Sequence, residues 1–310
     1  MKLVSFLGMK LPIVSIILST YNRSNILGYS IETVINQTFT EWELIVVGDC
    51  CTDDSETVVA NFKDSRITFI NLEENFGEQS EPNNVGIRRT KGDYIAFINH
   101  DDLWFSDHLE FSLHFLKTSG ADIVLAAGFI DYPDRPNDCS LSGVISEKMG
   151  YHPSLVFVPA TNWLLKRELI GEVGFWHHGK NLYLAPSHDW LKRAFEKGKR
   201  ILPTKHFSVI ALPSSARQNS YRDRAYTDSK YYFEELRHNS KFREQLAMKH
   251  LYPCSEMQVY DESVYLKRFV LRKCKQLLIW FGVNTIDLNF RKKYGKGGLI
   301  AGYRKVRGLE

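Results

Sequence analysis

Four apolar runs in the first hundred residues, separated by polar turns and helically spaced segments, constrain the fold of this chain more than any other feature. Ile13-Val14-Ser15-Ile16-Ile17-Leu18 is β-branched and nearly continuous, as a strand covered on both faces must be. Trp42–Val47, Ile67–Leu72 and Asp93–Ile98 repeat the pattern. Between them, Leu27–Thr38 places Leu27, Ile31, Val34 and Ile35 on one side of a helix, and Glu56–Phe62 and Pro82–Thr90 are likewise helical in spacing. Strands alternating with helices predict an α/β fold with a mostly parallel sheet and right-handed crossovers. Ligands of such open sheets bind beyond the carboxyl ends of the strands. The fourth run continues into Phe97-Ile98-Asn99-His100-Asp101-Asp102-Leu103-Trp104, placing two adjacent carboxylates at a strand end. Hard divalent cations take carboxylate and phosphate oxygens, so the pair suggests a metal bridging protein to a nucleotide diphosphate. An acidic start for the helix that follows near Ser106 is the other reading.

Beyond Asp107 the pattern is weaker. His108–Leu116 and a stretch around His188–Lys197 are predicted helices, and Asp122–Ile130, Pro153–Lys166 and Ile201–Leu212 contain predicted strands. Residues 131–150 read as a loop-rich insertion. Residues 213–224, with Arg217, Arg222 and Arg224, read as a polar, mobile loop in which a guanidinium can fold over a diphosphate. Ser229–His250 and Val264–Gly282 are helical in spacing. The division expected is a catalytic α/β domain over residues 1–225 and a helical, basic extension over 226–310.

With 310 residues and 44% hydrophobic content, a large core is available and no low-complexity segment interrupts it. Five cysteines, Cys50, Cys51, Cys139, Cys254 and Cys274, are odd in number and scattered, which suits neither a disulfide framework nor a zinc site and points to a reducing cytoplasm. The first 17 residues carry Lys10 and Pro12 and lack a clear cleavage site, against a signal peptide. No run of 18 apolar residues predicts a membrane span. The net charge of +4 is unevenly spread: Val264–Glu310 carries twelve Lys and Arg against Asp287 and Glu310, a local balance of +10 that leaves −6 for residues 1–263. A single-sign tail implies a surface of opposite sign.

Six stretches in order carry a family resemblance. Val14–Arg23 resembles the opening strand and turn of the family 2 inverting glycosyltransferases, and Val46–Ser55 resembles their second strand end. Asn75-Phe76-Gly77, Asn84-Val85-Gly86-Ile87 and Gly92-Asp93-Tyr94-Ile95 match three further landmarks, and Phe97–Asp102 falls where the family carries its Asp-x-Asp metal motif. The resemblance implies a GT-A-like fold, a nucleotide-sugar donor and a magnesium or manganese ion (Mg2+ or Mn2+). It assigns Thr20, Tyr21, Asn22, Arg23, Asp49 and Asn84 to the donor site, with Tyr21 stacking on the base, Thr20 hydrogen-bonding it and Asp49 reading its edge. It gives Asp101 to the metal, and Asp102 to the ribose or the metal. Ser187-His188-Asp189-Trp190 resembles the later acidic motif, which makes Asp189 the expected general base, although a helix start capped by Ser187 explains the same residues. Trp176 is expected either to contribute to the acceptor pocket or to plug the sheet edge as a hydrophobic residue, and His188 either to shape the site or to be structural. Two departures stand out: Gly48 and Asn99 occupy positions where the family has aspartates.

The resemblance also implies a glycan or lipid-linked glycan acceptor. Phe269, Val270, Leu271, Leu277, Leu278, Ile279, Trp280 and Phe281 interleave with the basic residues of the tail, a composition suited to a helix lying on the inner face of an anionic membrane. Packing of the tail on the catalytic domain is the other reading, and nucleic acid is not expected. Two other functions remain open from sequence: a non-catalytic sugar-nucleotide binder or membrane scaffold, favoured by Gly48 and Asn99, and a nucleotidyltransferase, disfavoured because residues 12–25 contain no glycine and Arg23 is their one basic side chain.

Overall fold

The structure is a computed structural model that describes residues 11–132, 140–146, 150–214, 217–223, 228–251, 270, 273–274 and 277–310. Much of the predicted helix 264–282, most of the insertion after Pro133, and Arg224 lie outside these residues.

The first four long strands, β1 (Val14–Thr20), β2 (Trp42–Gly48), β3 (Ile67–Asn71) and β4 (Tyr94–Asn99), pair in parallel in the order β3-β2-β1-β4. Helices α1 (Ser24–Ile35), α2 (Ser55–Ala60) and α3 (Ser80–Arg89) make the crossovers. β1 is buried on both faces because Val14, Ile16 and Leu18 enter one hydrophobic cluster while Ile17 enters the other. On the first face these residues meet Leu27, Ile31 and Val34 of α1 and Leu109, Leu113 and Leu116 of α4 (His108–Ser119). On the second face lie Ile87 of α3, Leu169 and Val173 of α5 (Leu169–Val173), and Trp190 and Leu191 of α6 (Pro186–Glu196). Gly92 makes the entry to β4 possible, since a Cβ there would fall 2.7 Å from the Ile13 carbonyl oxygen and 2.8 Å from the Ser15 nitrogen.

Past β4 the sheet is mixed. β8 (Trp163–Lys166) lies antiparallel between β4 and β6 (Ile123–Ile130), and β9 (Ile201–Ala211) returns parallel to β6. Two short strands, β5 (Leu103–Trp104) on β9 and β7 (Ser140–Ser142) on β6, complete the nine strands found among the described residues. The parallel order therefore holds where the sequence alternates strand and helix. It ends where the return to β8 carries no crossover helix.

Helices α7 (Asp228–His238) and α8 (Phe242–Leu251) extend the core at the β5–β9 edge: Tyr232, Phe233, Phe242 and Leu246 pack with Leu103, Phe129, Ile210 and Leu212. Arg243 donates to both carboxylate oxygens of Asp107, which ties α8 to the start of α4. Two last helices, α9 (Thr285–Lys293) and α10 (Gly298–Arg307), follow. No helix among the described residues is long and apolar enough to cross a membrane.

Candidate active site

A cleft of about 380 Å³ opens at the carboxyl ends of β1, β2 and β4. Thr20 and Tyr21 leave β1 into it, Asp49 leaves β2, and Asn99 to Asp102 leave β4. Thr20 lines this ligand-sized space, and its buried hydroxyl has no hydrogen-bond partner among the described residues. Asp49 accepts from the Phe76 and Gly77 amides, both at 2.8 Å, which pins loop 75–77 to the strand end. Burial still raises its carboxyl above the usual range against those two hydrogen bonds.

The two acidic-pair residues differ. Asp102 is committed inward: Oδ1 accepts from the Leu212 amide at 3.1 Å and Oδ2 from the Asn99 side chain at 2.6 Å. Burial, and then the neighbouring Asp101 charge, push its carboxyl up to about 8. Asp101 accepts one hydrogen bond, from the Ser214 amide to Oδ2 at 3.1 Å, and none is formed by Oδ1 among the described residues. Burial raises its carboxyl, but His100, Arg307, Arg217 and Arg23 outweigh that and hold it below the usual range. Asp101 is thus the anionic member.

No cluster of three His, Cys, Asp or Glu side chains among the described residues could hold an ion alone. Asp101, with one uncommitted oxygen beside a diphosphate-sized space, fits a cation bound by a single carboxylate together with substrate phosphates and water. Both Asp102 oxygens accept hydrogen bonds from the protein in this arrangement, which leaves Asp101 as the freer oxygen donor of the pair.

The remaining expected residues divide clearly. Tyr21 lines the cleft, its ring 6.3 Å from that of Tyr221. Asn22 instead braces two turns, accepting from the Thr52 and Asp53 amides with φ at +48°. Arg23 is buried behind the site, donating to the Ser220 carbonyl and lying over the Tyr221 ring at 4.9 Å. Asn84 and Trp176 exchange hydrogen bonds, Asn84 Nδ2 to the Trp176 carbonyl and the Trp176 amide to Asn84 Oδ1, joining α3 to the chain before α6. The Trp176 ring is a core residue packed on Phe97 at 5.2 Å, not an acceptor platform. His188 is also buried, stacked on Phe157. Arg217 pairs with Asp228 at 3.2 Å, and its charge lowers the Asp101 carboxyl.

Asp189 lies off the cleft wall. Its carboxylate takes the Arg193 Nε at 2.9 Å, one helical turn on, and lies 3.0 Å from His177 Nδ1, while Ser187 occupies the wall. Helix geometry accounts for this: an acid at position i and an arginine at i+4 meet on the helix surface. As placed, Asp189 is a brace.

Other residues at the cleft were not expected from the sequence. Glu78 lines it while accepting from the Ser80 amide and hydroxyl at the start of α3. His100 lies between the Ser19 carbonyl and the Tyr221 hydroxyl, 3.3 and 3.2 Å away, and burial lowers its pKa to about 4. The far end of the chain contributes Ile300, Tyr303, Arg304, Arg307 and Leu309. His100 was visible beside the acidic pair. The C-terminal group carries no local signal, because a long-range fold-back brings it there.

A strand-end cleft with an acidic floor, on a sheet flanked by helices, defines the GT-A-like class of transferases. TarS of Staphylococcus aureus, solved with UDP-GlcNAc, superposes with a TM-score of 0.54 at 17% identity, over 77% of this chain and 71% of TarS. The mannosyltransferase PcManGT of Pyrobaculum calidifontis, solved with GDP-Man and Mn2+, gives 0.52 at 15% identity, over 97% and 89%. At these identities the likeness is one of fold. Residues 15–174, just over half of the chain, match the Glycosyl transferase family 2 pattern, and the chain belongs to that family. It is similar to TarP of S. aureus, a poly(ribitol-phosphate) β-N-acetylglucosaminyltransferase, with 34% identity over 116 residues, 36% of this chain and 35% of TarP. It is also similar to WfgD of Escherichia coli, a UDP-Glc:α-D-GlcNAc-diphosphoundecaprenol β-1,3-glucosyltransferase, with 35% identity over 101 residues, 33% of this chain and 40% of WfgD. The matches span between 15% and 44% of the lengths of these and other curated relatives.

Proposed function

We propose that the protein transfers a sugar from a nucleotide-diphosphate donor, a UDP-sugar, to a hydroxyl of a glycan or lipid-linked glycan, with inversion at the sugar carbon. The observation that carries this reading is the cleft itself: the unspent Thr20 hydroxyl, Tyr21 and Asp49 on one side, and the anionic Asp101 on the other. The UDP-GlcNAc bound by TarS supports the donor class, and the name of WfgD supports a lipid-linked acceptor. In the reaction the sugar carbon–diphosphate oxygen bond breaks with its electron pair leaving on the diphosphate. The acceptor oxygen forms the new bond from the opposite face and passes its proton to solvent water. Asp101 would hold a magnesium or manganese ion, which supplies charge stabilisation for the departing diphosphate when bound. Tyr21 offers a face for the base and Thr20 a hydrogen bond that fixes its orientation. Asp102 holds the turn from β4 to residue 212 through its hydrogen bonds with the Leu212 amide and the Asn99 side chain.

The test is release of nucleoside diphosphate from a panel of nucleotide sugars with manganese present. One donor should be hydrolysed slowly, and chelation or Asp101→Asn should abolish the release. Failure of every donor both to bind and to turn over would sink the reading. Tight binding of a donor with no release, with or without acceptor glycans, would instead favour a sugar-nucleotide binder, the role to which the Asn99–Asp102 hydrogen bond lends weight.

We also propose that the basic C-terminal region meets an anionic membrane surface. Leu277, Leu278, Trp280 and Phe281 are exposed there, which supports an interfacial position.

A further inference from the structure

The C-terminal helix folds back onto the catalytic cleft. It is held by backbone groups at both ends: the Gly297 amide donates to the Leu182 carbonyl at 2.8 Å, and the Asn219 and Tyr221 amides donate to the Val306 and Arg307 carbonyls at 2.7 and 3.1 Å. Arg222 Nε donates to the Gly308 carbonyl at 2.7 Å, and Leu299 is buried beneath the helix. The loop 217–223, expected to be mobile, is thus the bracket that seats α10 beside Asp101.

The arginines that α10 brings to the cleft are not equivalent. Arg304 is engaged, donating to Glu310 at 2.7 Å and to the Gly77 carbonyl at 3.3 Å, on the loop that Asp49 pins. Arg307 makes no side-chain hydrogen bond or ion pair among the described residues. Its Nε is buried without a partner, and its guanidinium lies 5.7 Å from the Tyr221 ring centroid and 5.9 Å from that of Tyr303. A guanidinium carries five donors in a planar fork, and leaving the buried Nε unpaired is costly unless an anion completes the site. The two rings flank the guanidinium, and the fork stays uncommitted among the described residues. A diphosphate set on the Asp101 floor brings negatively charged oxygens to that space, and guanidinium forks pair with phosphate oxygens two at a time.

We propose that Arg307, carried by the C-terminal helix, binds the diphosphate of the donor from the side opposite Asp101, so that residues 297–309 form the roof of the donor site. The inference rests on the donor reading given above. Arg304 is a positioning residue, acting through the Gly77 carbonyl on the loop held by Asp49.

The test uses the full chain and titrates UDP and uridine, with magnesium, against wild type, Arg307→Ala, Arg307→Lys and Lys305→Ala. Lys305 is exposed on the same helix and does not line the cleft. The expected result is a loss of UDP affinity of at least tenfold for Arg307→Ala, with uridine affinity unchanged, partial recovery in Arg307→Lys, and less than a twofold change for Lys305→Ala. Equal losses for UDP and uridine would make α10 a structural wall only and overturn the proposal. So would UDP affinity that survives Arg307→Ala. If wild type binds uridine and UDP equally, the phosphate contact is absent and the proposal falls while the nucleoside pocket stands. If wild type binds neither, the donor reading itself falls. Unchanged uridine binding also reports that the variant has folded.

Discussion

At the residue scale, the two departures from the family pattern have structural explanations. A side chain at Gly48 would place its Cβ 2.5 Å from Asn71 Oδ1. That oxygen accepts from the Cys51 amide at 2.8 Å while Asn71 Nδ2 donates to the Cys51 carbonyl, so Asn71 already braces the turn after β2. Asn99 uses its amide to hold Asp102, a role an ionised aspartate next to a carboxyl could not fill as a donor. Asp189 shows the limit of reading roles from residue type. The sequence places an acid at the start of a helix near the site, and only side-chain direction separates a base from a brace. With its carboxylate on Arg193 and His177, Asp189→Asn should lower stability by about 1 kcal/mol and leave donor release within tenfold of wild type. Melting temperature and release rate measured together check this. A thousandfold loss of rate with normal melting would return the base to Asp189.

At the scale of elements, β1, β2 and β4 were legible because strands covered on both faces admit few polar residues, and their polar ends then mark the cleft. The two-residue β5 was not, because it is too short to show a periodicity, and β8, which falls inside the expected strand region Pro153–Lys166, carries no sequence signal for its antiparallel direction. α10 was read as tail charge, since nothing in Gly298–Arg307 shows that Arg304 and Arg307 face a distant strand end. Two helix starts carry a further consequence. His108 opens α4, stacked 4.2 Å from Trp104 and 2.9 Å from the Ser208 hydroxyl, and His188 sits in the first turn of α6. Burial lowers the first to about 3 and the second to about 4, and the positive end of a helix disfavours imidazolium in the same direction. Between the folded value and an unfolded value of about 6.5, the folded chain binds fewer protons than the unfolded one. Stability therefore falls as pH drops from about 6.5 towards 4, by about 1.4 kcal/mol per pH unit for each such group. Melting curves between pH 5 and 7 should show the decline, and His188→Gln should remove one proton from its slope. Because the raised Asp102 carboxyl tilts the wild-type profile the other way, the decisive reading is the difference: an unchanged slope in His188→Gln would mean that this imidazole is not held neutral.

At the scale of the whole molecule, the fold-back of α10 divides the basic tail into two parts. Arg304 and Arg307 face the cleft, whereas Arg291, Lys292, Lys293 and Lys296 belong to α9 and the turn after it. The exposed Leu277, Leu278, Trp280 and Phe281 lie just ahead of α9, and Leu288 on α9 is exposed as well. A body of −6 with a tail of +10 should orient on an anionic surface tail first, each Lys or Arg near the surface contributing about 1 kcal/mol and the apolar side chains adding their burial. Trp280, which is 78% exposed, is an internal reporter. Its emission should shift to shorter wavelength with vesicles containing phosphatidylglycerol, and far less with phosphatidylcholine alone. Salt should weaken the first response because screening shortens the reach of the tail charge. Trp280→Glu with Phe281→Glu should abolish sedimentation with the anionic vesicles while leaving UDP affinity as in wild type, since neither residue lines the cleft. Equal binding to both vesicle types would show that charge is not what recruits the protein. Loss of UDP affinity in the double variant would show that residues 277–281 support the seating of α10, and the tail would then be a single unit committed to the donor site.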